Sequence, residues 1–369
     1  MSRLQASSDV IFIFIEFSFL IFAVLYVFSR STIFAWVAYG IAAVKYSLSS
    51  YYTFDMINYR NAYKSIEQFT LESTNNMESG FINLLFLMKN LGIPLMVLHG
   101  IEIVLYLFAA QYLFSAFLPK NRAIVFSLAL AFFSTLGELG IYLMRQLLSM
   151  TLVYFSLGLL LRKKTLKGIF VYIVSFSFHF SSILYLPIYL SFLTKKKAVK
   201  LFIIASAYLA LLILISSTEL GQSVISMFSG EDSLVYDKFS SYTGGYDRRT
   251  QFGIGPLTIL LMLTFVGINI WYRGIMFIGE DFIIHAFTIS FMVFYVIIDR
   301  LGYSWLYSRI NFIADIFLFV SNILLIMKIT PKKEFPMLMT VFMTLLFLVS
   351  IRIITSGFMN NSLYIIPEF

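Results

Sequence analysis

Residues 162–200 read RKKTLKGIFVYIVSFSFHFSSILYLPIYLSFLTKKKAVK. Arg162, Lys163, Lys164 and Lys167 open the stretch, a long apolar run follows, and Lys195, Lys196, Lys197 and Lys200 close it. His179 sits near the middle, flanked by Ser175, Ser177, Ser181 and Ser182. Short basic loops beside transmembrane segments stay on the cytoplasmic side. A run with two such flanks therefore resists a single crossing. If 168–193 crossed once, one flank would be exported, every later loop would invert, and Lys328, Lys332 and Lys333 would be exported too. The simpler reading is a re-entrant helical hairpin over 168–193, entering and leaving on the same side with His179 near its apex. At ~1.5 Å per residue each half reaches roughly 17–20 Å, short of a ~30 Å hydrocarbon core. A single span with a topological exception is the alternative. Broken backbone at membrane depth is tolerated only when it is buried in protein or lines a wet cavity.

The rest of the chain places this stretch in a membrane. The 369 residues are 60% hydrophobic and only 12% charged, with mean hydropathy +0.87. Further apolar runs fall at roughly 10–28, 33–50, 94–117, 122–137, 139–161, 201–217, 253–272, 282–298, 308–327 and 337–355. Repeated runs of this kind read as transmembrane helices, and unpaired backbone groups in lipid force helical structure. The expected fold is an all-α polytopic bundle: about ten spanning helices, the hairpin, and a short interfacial helix near 80–90, all in one transmembrane domain over 1–369. The first run carries Glu16 and lacks a small-residue cleavage pattern, so a cleavable signal is not expected. Without cysteine, disulfide and thiolate chemistry are excluded.

Charge location sets the orientation. Fifteen of the 27 Lys and Arg lie in connections read as cytoplasmic: Arg30, Lys120, Arg122, the two flanks of 168–193, Arg273, Lys328, Lys332 and Lys333. The net charge of +8 thus belongs to the membrane, and no nucleic acid partner is expected. The outer face receives both termini and two long connections, 51–93 and 218–252. Long polar loops on a membrane bundle point to work on the outer face.

Several ionisable residues fall where they are costly. Lys45, Arg145, Arg309 and Arg352 lie within or at the edges of apolar runs on the outer side, Arg300 precedes Arg309, and Arg248 and Arg249 close the second long loop. An arginine at a helix centre costs ~2.5–3.5 kcal/mol on insertion scales. Such residues need acids, for which Glu16, Glu102, Glu138 and Asp315 are the internal candidates, or an anionic ligand. Ion pairing and snorkelling explain Lys45 and Arg352; Arg145 lies deeper and reads as functional. Arginine forks bind phosphate oxygens in pairs and keep their charge. An Arg-lined outer cavity in lipid suits a polyprenyl diphosphate, with Tyr51, Tyr52, Tyr59, Tyr63, Tyr242 and Tyr246 as surfaces for sugar rings. No Gly-rich phosphate loop, HExxH or DxD occurs. His99, His179 and His285 share no ligand spacing, so neither a bound metal nor a cofactor is expected.

Four segments in order, FDMINYRNAY (54–63), MESGFINLLFLMKNLG (77–92), the block from YLMRQLLSM (142–150) through the His179 stretch, and YSRINFIADIFLF (307–319), resemble the EpsG-like branch of Wzy-type polysaccharide polymerases. The family shows an Asp with spaced tyrosines, here Asp55, Tyr59 and Tyr63; Glu-x-Gly-aromatic, here Glu78, Gly80 and Phe81; and Met-Arg-Gln, here Met144, Arg145 and Gln146. An aromatic-His-x-Ser element (Phe178, His179, and Ser181 or Ser182) and a late arginine, Arg309, complete the pattern; 218–252 matches none of it. The resemblance implies an enzyme of the bacterial inner membrane that joins undecaprenyl-diphosphate-linked repeat units at the periplasmic face, building O-antigen, capsule or exopolysaccharide. A chain-length regulator in the membrane would be its protein partner. His179, Arg145 and Glu78 are the expected catalytic residues, and Asp55, Tyr59, Tyr63, Arg248, Arg249, Arg300 and Arg309 the expected substrate-binding ones. A flippase for the same lipid carrier is the alternative, though it often shows an internal repeat that this chain lacks. A structural subunit of an export complex would need no buried His–Arg–Glu set.

Overall fold

In the computed structural model, residues 2–49, 54–69, 77–132, 143–216, 256–301 and 304–355 are described. Their regular elements are helical: α1 (Ser2–Ser29), α2 (Thr32–Ser49), α3 (Phe54–Ser65), α4 (Ser79–Asn90), α5 (Leu95–Phe114), α6 (Lys120–Phe132) and α7 (Met144–Leu161). There follow α8 (Thr165–Phe176), α9 (Leu186–Leu190), α10 (Lys197–Ser216), α11 (Pro256–Trp271), α12 (Phe282–Leu301), α13 (Ser304–Ile329) and α14 (Phe335–Thr355). Among the described residues five stretches, Val10–Ser29, Leu95–Phe114, Met144–Leu161, Lys197–Leu214 and Phe282–Leu301, are long and apolar enough to cross a membrane; α2, α8, α11 and α14 supply shorter apolar helices. On α1 the exposed large side chains Val10, Phe14, Phe17, Ile21, Leu25 and Phe28 recur every three or four residues. That spacing makes one continuous apolar stripe on the helix surface, which lipid, not water, covers. The chain is a polytopic membrane helix bundle.

The helices gather into two compact units, residues 1–182 with 330–369, and residues 183–329. In the first, the mostly buried α7 packs between α5 and α8, α2 lies on α5, and α1 lies on α2 and α14. Lipid does not drive apolar helices together, so close packing and polar contacts across helices must hold them. Lys45 of α2 and Glu16 of α1 form a buried ion pair. Tyr46 Oη donates to Ala131 O on α6 at 2.8 Å, and His99 Nδ1 meets Glu102 Oε2 at 3.2 Å within α5. Arg162, at the α7–α8 turn, donates to Gly158 O (2.8 Å) and Tyr112 O (2.7 Å), satisfying carbonyls near the ends of α7 and α5. A cation also suits the negative C-terminal pole of a helix.

In the second unit α12 is the buried element, packed on α10 and α13, while α11 lies on α13. Thr258 Oγ1 donates to Asp315 Oδ1 at 2.6 Å, and Asn322 Nδ2 donates to Leu261 O at 2.9 Å. Asp281 takes His285 at 3.1 Å and Lys328 at 2.7 Å. Asp315, one of the internal acids, is therefore matched by a hydroxyl, and His285 is paired with Asp281.

Two expectations change. The connection 51–93 holds the expected short helix, α4, and adds a second, α3; the two pack on each other, and α4 buries Phe81, Ile82 and Leu85 against protein. α3 carries Asp55, Asn58, Arg60, Asn61 and Lys64 and is too polar for hydrocarbon, yet one face, with Met56, Tyr59 and Ala62, is buried. That face could not be seen as amphipathic from a run so rich in polar residues. The segment 168–193 is broken near its expected apex, but its second half is not one helix. α8 stops at Phe176, and the chain continues as a 3-10 helix (Phe180–Tyr185), α9, and a second 3-10 turn (Ser191–Leu193). Pro187, in the first turn of α9, lacks the N–H that a continuous helix through this point would use. α8, at 12 residues, spans only ~18 Å. The second long connection, 218–252, and Glu138 lie outside the described residues.

Single cysteines placed at Lys164 and at Lys197 test the re-entrant reading in a chain that has none of its own. Both are expected to stay unlabelled by a membrane-impermeant maleimide in intact cells and to react once the membrane is opened. Labelling of position 197 alone from outside would establish a single crossing.

Candidate functional site

The site lies in the first unit, where the starts of α4 and α7 meet the break after α8. Glu78 is the residue before α4, and its carbonyl accepts Phe81 N and Ile82 N, both at 3.1 Å. Its side chain makes no capping bond to α4. Instead Oε2 takes Arg145 Nη1 at 2.7 Å, and Oε1 accepts the backbone N–H of Phe180 at 3.2 Å. One carboxylate thus ties together the first turn of α7, the entrance to α4 and the first residue of the 3-10 helix. Helix N-termini are positive poles, so these are places where a carboxylate is stabilised.

Close approach brings the break to α4. Gly80 N donates to Ser177 O at 2.9 Å. A Cβ on Gly80 would lie 2.6 Å from that same oxygen, nearer than any side chain tolerates. Only glycine lets α4 and the end of α8 meet here, which gives the Glu-x-Gly pattern its physical reason. Beneath the contact, Met56 and Tyr59 of α3, Phe81 and Leu85 of α4, Leu95 and Leu98 of α5, and Met144 and Leu148 of α7 form a buried apolar cluster, with Phe178 packed against it.

Arg145 stands at the edge of this cluster. Its guanidinium carbon lies 5.8 Å from the centre of the Tyr59 ring, and Tyr59 and Glu78 are both polar partners of the guanidinium. Tyr59 in turn sits edge-on to Phe81 at 5.2 Å. One turn beyond Arg145 on the same face of α7, Ser149 Oγ meets Ser182 Oγ in a short hydrogen bond, with His179 O 3.4 Å away. Tyr172 Oη donates to Ser182 O at 3.0 Å. His179 itself is buried, and its Nδ1 accepts the backbone N–H of Ser181 at 3.1 Å and meets Ser181 Oγ at 2.7 Å.

The structure therefore brings together four of the expected residues, Glu78, Arg145, Tyr59 and His179. Asp55 lies one turn before Tyr59 on α3 and is half-buried. Tyr63, a further turn on, donates its hydroxyl to Ile93 O at 2.7 Å, so it braces the α4–α5 turn. Arg300 is exposed in the last turn of α12, in the second unit. Arg309 belongs to α13, with its side chain outside the described residues, and Arg248 and Arg249 lie outside them altogether. Ser149 and the Ser177 carbonyl escaped the sequence reading. Ser149 could have been found as a polar residue four positions after Arg145 on an apolar helix; a backbone carbonyl leaves no sequence signal.

A polytopic helix bundle with a charged pair buried beside a broken apolar segment defines a membrane protein with an internal polar site. The chain belongs to the EpsG family, whose model matches residues 51–366. That membership suggests a polymerase-like glycosyltransferase role in polysaccharide biosynthesis. No curated protein and no solved structure matches the chain.

Two outcomes follow from the geometry. Glu78→Gln or Arg145→Met strands the other partner's charge, and each is expected to cost about 3 kcal/mol, with the double variant costing much less than the sum. Thermal unfolding in detergent reads the three variants. Gly80→Ala is expected to destabilise by about 1–3 kcal/mol through overpacking. Adding Ser177→Ala should not rescue it, because the obstructing carbonyl remains.

Proposed function

We propose that this chain polymerises oligosaccharide repeat units carried on undecaprenyl diphosphate at the outer face of the bacterial inner membrane. The reading rests on one observation above the others: Arg145, paired with Glu78, is held at the edge of a buried cluster within a membrane bundle of the EpsG family. An arginine so placed needs an anion, and Glu78 supplies the resting one. A diphosphate supplies a second that arrives with substrate, and the guanidinium has donors for both.

In the reaction, a hydroxyl of the incoming lipid-linked unit attacks the anomeric carbon at the reducing end of the growing chain. The new C–O bond forms as the bond to the diphosphate oxygen breaks, and the electron pair leaves with the lipid diphosphate. Charge builds on that leaving group, and Arg145 stabilises it without a metal. The acceptor hydroxyl loses a proton to a base, for which His179 and Asp55 are the candidates near the site. Glu78, whose two oxygens accept from Arg145 and from Phe180 N–H, is the weaker base. A membrane-embedded chain-length regulator is the protein partner this reaction admits.

The Glu78→Gln/Arg145→Met double variant separates a structural pair from a substrate site. It is expected to accumulate to normal levels in membranes, yet to cut polymer by at least about a hundredfold, as loss of a charge-stabilising donor does. Single repeat units on lipid diphosphate should build up on the outer face. Normal polymer from this variant would show the pair to be structural only, and units held on the inner face would indicate a flippase.

A further inference from the structure

The hydrogen bonds around His179 decide which of its nitrogens carries the proton. A backbone N–H can only donate, and Ser181 N–H points at His179 Nδ1 from 3.1 Å. Nδ1 must therefore be an acceptor, with a lone pair, and the Ser181 hydroxyl at 2.7 Å is placed to donate to the same atom. Neutral imidazole then holds its one hydrogen on Nε2. His179 is in effect the N-terminal cap of the 3-10 helix Phe180–Tyr185: its ring accepts from Ser181, its carbonyl accepts from Ser182 N at 3.2 Å, and Glu78 accepts from Phe180.

A ring held in this way cannot take a proton on Nε2, which already has one, or on Nδ1 without breaking the cap. We infer that His179 serves the polymerase reaction as a hydrogen-bond donor through Nε2–H, directed at an oxygen of the leaving diphosphate, and that Ser181 is the positioning residue that fixes this tautomer. The proposal rests on the polymerase reading above. The acceptor's proton then passes to Asp55, one turn before the Arg145 partner Tyr59 on α3, and on to water, while the released diphosphate keeps the electron pair of the broken bond. Because His179 is buried, its donor acts where water competes little, and such donors are worth most there.

Asparagine and glutamine divide the two jobs of the ring. Asn at 179 puts its oxygen where Nδ1 stood and keeps the cap, but it has nothing at the reach of Nε2. Gln carries an N–H donor about as far as Nε2 and gives up most of the cap. Polymer length and rate are measured in membranes supplied with lipid-linked repeat units, at matched protein level, for His179→Gln and His179→Asn. The 15N shifts of the wild-type imidazole are recorded alongside, and again in Ser181→Ala. The donor role predicts His179→Gln within about tenfold of wild type, and His179→Asn down by about a hundredfold or more. It also predicts a protonated Nε2 and an unprotonated Nδ1 in wild type, with tautomers mixed and rate reduced in Ser181→Ala. Equal inactivity of the Asn and Gln variants would overturn it in favour of a base, an active Asn with an inactive Gln in favour of a cap alone, and a protonated Nδ1 would overturn the assignment outright. The polymerase reading fails separately, if the Glu78→Gln/Arg145→Met double variant holds its lipid-linked units on the inner face.

Discussion

Everything at the site depends on where the Glu78 carboxylate is spent. It stands before α4 but leaves that helix uncapped, and its two oxygens reach Arg145 at the start of α7 and Phe180 N–H at the break after α8. A buried carboxylate and a mostly buried guanidinium are each expensive alone, several kcal/mol after relaxation, and tolerable only as a hydrogen-bonded pair. The pair therefore holds three segments together at a cost none of them could carry singly. The same pair is a poised site. An arginine already desolvated and aimed needs little reorganisation when an anion of the right shape arrives.

The membrane imposes this economy on the whole chain. In each unit buried ionisable residues are matched to neighbours: Lys45 with Glu16 and His99 with Glu102 in the first, Asp315 with Thr258 and Asp281 with His285 and Lys328 in the second. Those that cross between helices, such as Lys45 with Glu16 and Thr258 with Asp315, do for helix association what apolar burial does in water, since side chains gain little by leaving lipid for one another. The α3–α4 pair is different. α3 is too polar for hydrocarbon, so its buried face, with Tyr59 and Ala62 on Phe81 and Leu85, is held by ordinary apolar burial, at roughly 25 cal/mol per Å² removed from water. Two different driving forces thus meet at the site, one on each side of Arg145.

The break after Phe176 is stabilised by the same logic. A helix interrupted at membrane depth frees N–H and C=O groups that lipid cannot satisfy. Here Ser177 O is taken by Gly80 N, Phe180 N by Glu78, Ser181 N by the His179 ring and Ser182 N by His179 O. The serines that make this stretch unusually polar are part of that accounting: Ser182 Oγ donates to His179 O at 3.1 Å, and Ser175 and Ser177 bond back to their own helix. Polarity that looked like an active-site signature is first of all what lets the backbone stop being a helix.

The amino-acid sequence by itself determined the membrane bundle, because long apolar runs have no stable alternative in lipid, and the basic flanks of 168–193 pointed to the interruption that the structure has there. It also singled out Arg145 and His179, since charge and imidazole inside apolar runs are costly, and Glu78 through the resemblance of its Glu-x-Gly-aromatic motif. It could not show that α3 buries a face, as the apolar positions Met56, Tyr59 and Ala62 are outnumbered by polar neighbours and are covered by residues that follow in α4, α5 and α7. Nor could it show that Glu78 abandons its own helix for Arg145, 67 residues away, or that Tyr63 is committed to Ile93 O. Only the tertiary structure decided the proton position on His179, because that is set by the direction of one backbone N–H at Ser181, and the direction of a backbone bond is a property of the folded chain rather than of any residue's identity.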